Sequence, residues 1–148
     1  MSIDWLVIGY GNTLRGDDGI GPSVAGEVAA LGLSGVRVMV VHQLTPELAA
    51  DLADARGAVF VDSKVCVGPT TVERIEAAPT GSVMTHAADP RGLMALCEAI
   101  YQRCPESWLV TAPGIDFGFH DGLSPIGRES TREAIACIER VLRESSGA

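Results

Sequence analysis

Three short, almost wholly apolar runs, Ile3–Ile8, Val36–Val41 and Ala58–Val61, are separated by stretches long enough to hold a helix. Apolar runs of this length suit strands buried on both faces, and strands joined through helical connections lie parallel. The connections fit that reading. Pro22 suits the first turn of a helix running to about Leu31, with Val24, Val28 and Leu31 on one stripe. Thr45-Pro46-Glu47 reads as a second helix start, with Thr45 as N-cap and Pro46 at the first helical position, ending near Ala55. Thr70–Glu76 is polar and β-branched, as an edge strand is. Asp89-Pro90 opens a helix to about Arg103, with Leu93, Leu96, Cys97 and Ile100 inward. Trp108–Thr111 is another strand, Pro113-Gly114 begins a loop, and the last helix runs from Ser124-Pro125 to about Arg143. The 148 residues suffice for one domain with a core and are too few for two comfortable ones.

In a parallel sheet with right-handed crossovers every strand ends on the same edge, and ligands bind there where strand order reverses. The sequence sends three carboxylates to that edge: Asp17 and Asp18 after the first strand, and Asp62 at the end of the third. The loop carrying the first two, Gly9 to Gly21, resembles a nucleotide-binding turn in its glycines only. Leu14 stands where a dinucleotide fingerprint needs its third glycine, and His42 where the ribose-binding acid belongs. Two aspartates at a helix N-terminus would repel a pyrophosphate, and no Gly-Lys-Ser/Thr follows. A nucleotide cofactor is therefore not expected.

Each acid alone has an ordinary structural role, as a helix cap or a strand exit, and His86 alone reads as a loop histidine. The adjacent pair weakens that reading, because two like charges in a glycine-rich turn call for a cation or donors. Asp18, Asp62 and His86 together offer two hard oxygens and an imidazole, a set that suits a divalent transition metal with open positions. No Gly-x-Ser-x-Gly elbow is present. Cys66, Cys97, Cys104 and Cys137 form no C-x-x-C pair and read as reduced thiols, Cys97 and Cys104 on one helix. His42 and His120 fall in loops at the carboxyl edge. The net charge of −8, without a basic run, opposes nucleic acid and anionic lipid. No apolar run approaches the ~18 residues of a membrane span, and no signal-like N-terminus is seen, so a cytoplasmic location is expected.

The pattern Gly9-x-Gly11-Asn12-x-Leu14-x-x-Asp17-Asp18-Gly19-x-Gly21 resembles the N-terminal signature of the [NiFe]-hydrogenase maturation endopeptidases. The resemblance continues in order through Val59-Phe60-Val61-Asp62, Thr85-His86 and Gly122-Leu123-Ser124-Pro125, across essentially the whole chain. It implies a single three-layer α/β/α domain over residues 1–148, with a twisted five-stranded sheet, mostly parallel with one antiparallel strand, and helices on both faces. It further implies an endopeptidase that removes a C-terminal peptide from the large-subunit precursor once nickel is inserted. The implied metal-binding residues are Asp18, Asp62 and His86, with nickel supplied by the substrate. Asp18 and Asp62 are also the expected catalytic acids, and Asp17 is expected to orient water or act as a base. Position 18 is often Glu in relatives. His42-Gln43-Leu44-Thr45-Pro46-Glu47 replaces a common glycine-rich turn and looks more like the branch serving soluble, NAD-coupled or bidirectional hydrogenases. His120 is a further candidate for substrate choice. The rival from another class is a non-catalytic, nickel-sensing chaperone of the same large subunit.

Overall fold

The computed structural model describes residues 3–79 and 88–146. Five strands, β1 (Ile3–Tyr10), β2 (Val36–Val41), β3 (Ala55–Val65), β4 (Thr71–Ile75) and β5 (Glu106–Gly114), form one sheet in the order β2-β1-β3-β5-β4. Among the described residues, only the β4–β5 pairing is antiparallel. Helices α1 (Ile20–Ala30) and α4 (Pro125–Ser146) cover one face, and α2 (Leu48–Ala53) and α3 (Pro90–Tyr101) cover the other. This is the expected three-layer α/β/α arrangement.

Strand alternation builds the two cores. Val7, Val59, Val61 and Val110 face Ile20, Val24, Ala134 and Ile138 of α1 and α4, while Leu6, Ile8, Ala58 and Phe60 face Leu52, Leu93 and Cys97 of α2 and α3. Burying each large side chain on either face contributes about 1.5–3 kcal/mol. Helix α1 lies unusually close to β1. A Cβ at Gly9 would strike the backbone of Gly21, and one at Gly21 would strike the backbone of Tyr10. Gly21 thus provides the close helix–strand packing that a third glycine provides in a dinucleotide fold.

The differences from expectation are local. β1 runs on through Gly9 to Tyr10, and a short 3-10 turn (Gly16–Gly19) precedes α1. Leu31 falls beyond α1 where the chain turns out through Gly32, and it is exposed. Thr45 does not cap α2, which begins at Leu48 without a side-chain cap; the Thr45 carbonyl closes a turn with the Leu48 N–H, and the Thr45 hydroxyl bonds Glu47 instead. Ile100 lies in the last turn of α3, past its packed part, and is exposed, while Met94 is buried in its stead. That helix ends at Tyr101 with Gln102 in a left-handed conformation, so Cys104 lies beyond it, its thiol beside that of Cys97. Most important for the site, β3 spans 11 residues, and Asp62 lies inside it rather than at its end.

Candidate active site

Strand order reverses between β1 and β3, so the carboxyl ends of these two strands frame the switch point. Their last registered pair is Gly9 with Val61. The next residues along are Tyr10 and Asp62, on the α2/α3 face with Ile8 and Phe60. The Tyr10 phenol hydrogen-bonds the Asp62 carboxylate. Partial burial raises the Asp62 carboxyl above its ordinary range; hydrogen bonds from the Ser63 N–H and Tyr10 oppose this, while the charges of Asp18 and Asp89 add to it. Burial and the charge and hydrogen bond of Asp62 likewise hold the Tyr10 phenol in its neutral, donating form.

Asp18 reaches this edge from the loop after β1. Gly11 has a φ of +150°, and a Cβ there would collide with the Asp18 carbonyl oxygen, so the loop folds back tightly on itself. The Asn12 N–H then donates to Asp18 Oδ2 at 2.7 Å, and Asn12 Oδ1 accepts from the Leu14 N–H at 2.9 Å. Asp18 is half-buried and electrostatically coupled to Asp62. Asp89 adds a third negative charge nearby while capping α3 through its contact with the Arg91 N–H at 2.8 Å.

Asp17 does something different. Its side chain is fully buried. Oδ2 accepts from the Ser124 hydroxyl at 2.7 Å, the Ile115 N–H at 2.9 Å and the Asp116 N–H at 3.1 Å, and Oδ1 accepts from the Ser124 N–H at 2.8 Å. Burial opposes ionisation, but these four donors outweigh it and hold the carboxyl below the usual range. The Ser124 hydroxyl also accepts the Gly127 N–H at 2.9 Å, so it caps the first turn of α4 while serving Asp17. Asp17 is expected from the sequence to orient water or act as a base; its carboxylate is buried and engaged by four donors from the β5–α4 side, the arrangement of a structural clamp. It ties the β1–α1 loop to the β5–α4 loop and so positions its neighbour Asp18.

A cavity of about 350 Å³ lined by Trp5, Leu33, Val36 and Leu142 opens at the amino end of β1, away from these acids. No protein-family model and no curated protein sequence matches the chain. Solved structures do. A hydrogenase 2 maturation peptidase from a Thaumarchaeota archaeon is 26% identical, with a TM-score of 0.71 over 94% of this chain and 97% of that one. The chain has the fold of the hydrogenase maturation endopeptidases. The endopeptidase HybD from E. coli (23% identity, TM-score 0.69, 96% and 93% covered) and the maturation protease HycI from Thermococcus kodakarensis (19%, 0.74, 96% and 94%) share that fold.

Within this maturation-endopeptidase fold Asp18 lies near enough for its charge to act on Asp62. His86 and Thr85 lie outside the described residues. Among the described residues no group of three or more His, Cys, Asp and Glu is placed to hold a metal. The two apposed carboxylates nonetheless have the donor chemistry that a divalent cation neutralises. Tyr10 and Asp89 join the site without a local sequence mark. Tyr10 lies just past the first apolar run, and its place beside Asp62 depends on the β1–β3 register. Asp89 lies at the amino end of a helix descending from the same edge.

His42 and His120 are exposed. His120 pairs with Asp116 at 2.8 Å through Nε2, while its Nδ1 lies 3.2 Å from the Asp121 carbonyl. Both nitrogens face acceptors, an arrangement met by the imidazolium, and the hydrogen bonds to Asp121 and Asp116 raise its pKa. Beside it Phe119 is largely exposed beneath the Arg15 guanidinium, 5.0 Å from the ring centre.

Proposed function

We propose that this chain is a specific endopeptidase that removes a C-terminal peptide from the nickel-loaded large subunit of a [NiFe]-hydrogenase in the cytoplasm. The observation that carries the reading is the coupling of Asp18 and Asp62 at the switch point of a fold shared with maturation endopeptidases. In this reading Asp18, Asp62 and His86 engage the nickel that the precursor already carries, so an unloaded precursor is not positioned for cleavage. The substrate's metal, close to the scissile carbonyl, would polarise it or lower the pKa of a bound water. The chain's own residues hold the geometry: Tyr10 fixes the Asp62 carboxylate, and Asp17 fixes the loop that presents Asp18.

The upward shift of Asp62 supports a second chemical reading within the same activity. Two coupled carboxyls, one of them raised by burial, form a pair of the kind used for peptide hydrolysis by acid–base catalysis. Asp18 would take a proton from water while Asp62 gives one to the leaving amine.

Purified protein mixed with nickel-loaded precursor tests the proposal by mass spectrometry of the precursor. Loss of a C-terminal peptide is expected, together with its abolition by Asp62→Ala and by His86→Ala. A stable complex with an intact precursor would instead indicate a chaperone, and unchanged cleavage by both variants would refute the site assignment.

A further inference from the structure

β3 outruns the strand beside it. Its register with β1 stops at Val61, whereas its register with β5 continues through Ser63, Lys64 and Val65. The Cys66 N–H donates to the Gly114 carbonyl at 3.3 Å, on the β5 side. Backbone groups of alternate residues in a parallel strand point to opposite neighbours. Ser63 and Val65, offset by odd numbers from Cys66, therefore turn their backbone groups toward the side that β1 has left. The Ser63 N–H is partly used by the Asp62 carboxylate. Among the described residues no strand is registered there against the Ser63 carbonyl or the N–H and carbonyl of Val65.

An unpaired edge at the mouth of a site is a template for an extended chain. Val65 and Val67 stand exposed along it, 68% and 95% accessible, so apolar surface is available for contact. Strands pair about 4.8 Å apart, so a chain added here would occupy the line along which β1 would have continued, beside Asp62 and the Asp18 loop. The charge there selects the occupant. Asp18, Asp62 and Asp89 make the adjoining surface negative within a chain of net charge −8. Lys64, exposed on the overhang, disfavours pairing with the same edge of a second copy.

We propose that the Ser63–Val65 overhang is a docking edge, at which an extended segment of the protein substrate, bearing positive charge toward Asp18 and Asp62, adds as a strand beside β3. The proposal rests on the endopeptidase reading and deepens it by assigning how the substrate chain is held. Backbone pairing fixes the height and direction of the bound chain whatever its side chains, and so sets which peptide bond lies over the acids.

Val65→Pro tests it. Proline removes only the outward N–H, and Lys64 before it is already extended, so the β3–β5 ladder keeps its bonds. With nickel-loaded precursor as the probe, Val65→Pro is expected to raise KM about three- to tenfold, the loss of one hydrogen bond, and clearly more than Val65→Ala, which trims the side chain but keeps the N–H. Equal KM for Val65→Pro and wild type overturns the proposal, and so does an equal loss in Val65→Ala, which would indicate side-chain contact. A dimer in gel filtration that Val65→Pro dissociates would assign the edge to a second copy and overturn it too. If Val65→Pro does not fold, hydrogen exchange at the wild-type Val65 amide decides: slowing on addition of precursor supports pairing, and unchanged exchange refutes it. Failure of wild type to shorten the precursor overturns the endopeptidase reading itself, and this proposal with it. A cleaving wild type with an indifferent Val65→Pro overturns the docking edge alone.

Discussion

Replacing Asp17 with asparagine exchanges one carboxylate oxygen for an amide nitrogen and should disable the loop that presents Asp18. Three donors converge on Oδ2 and one on Oδ1. The amide oxygen of the substituted side chain is best placed at Oδ2, where it keeps three partners but loses the charge. Hydrogen bonds to a charged group are worth about 1.5–3 kcal/mol against about 0.5–1.5 for neutral pairs, so roughly 1 kcal/mol is lost at each of the three. The amide NH2 then faces the Ser124 N–H, donor against donor, which adds about 1–3 kcal/mol for the group left unsatisfied. Allowing for relaxation of the two loops, the expected loss is about 3–5 kcal/mol. In a domain of this size that lowers Tm by about 6–20 °C. The pH dependence has a definite sign. The native Asp17 carboxyl lies below its unfolded value, so its contribution is fully present above that value, about 3.9, and is lost as pH falls through the lower native value. Thermal unfolding from pH 7 to pH 2.5 should therefore show an acid limb in wild type that flattens in Asp17→Asn. A variant with wild-type Tm and an unchanged acid limb would refute the clamp. A variant as stable as wild type that cannot process precursor would show that Asp17 acts in the chemistry after all.

Other outcomes are as specific. Tyr10→Phe removes a hydrogen bond that lowers the Asp62 carboxyl, so a pH–rate profile should show the limb due to Asp62 moving to higher pH, and an unmoved limb would separate Tyr10 from the site. Gly21→Ala forces a methyl into the backbone of Tyr10 and should cost about 1–3 kcal/mol in urea denaturation, with loss of processing if β1 shifts. Phe60→Ala empties the centre of the α2/α3 core and should cost about 3–5 kcal/mol, measured the same way. Asp62→Asn should cut processing of nickel-loaded precursor at least about a hundredfold while leaving the circular dichroism of the fold intact.

The pattern of strands and helices was readable because both sheet faces are covered: Val7 and Ile8, or Val59 and Phe60, must all be apolar, and an unbroken apolar run is hard to mistake. Ends were less readable. Asp62-Ser63-Lys64 breaks the apolar run that announces the strand; β3 continues through it to Val65 because β5 runs beside it, a tertiary cause. The edge position of Asp62 followed from topology and needed no side-chain detail. The role of Asp17 was hidden for the opposite reason. Its partners lie 98 to 107 residues away, and nothing local distinguishes a carboxylate that will be sealed beneath Ser124 from the one beside it that faces the crevice. Adjacent residues in a 3-10 turn point in different directions, so one acid of the pair is spent on the scaffold and the other is left for the site.

The span of the Asp17 clamp also bears on when a new molecule becomes competent. Chains emerge from the ribosome amino end first. β1, α1 and the whole acid loop are made early, yet the four donors that fix Asp17 belong to Ile115, Asp116 and Ser124. β5, which flanks β3 across the sheet, arrives just ahead of them. A nascent chain therefore carries an unanchored acid loop until Ser124 has been made, more than a hundred residues after Asp17, and the clamp closes only as α4 begins to form.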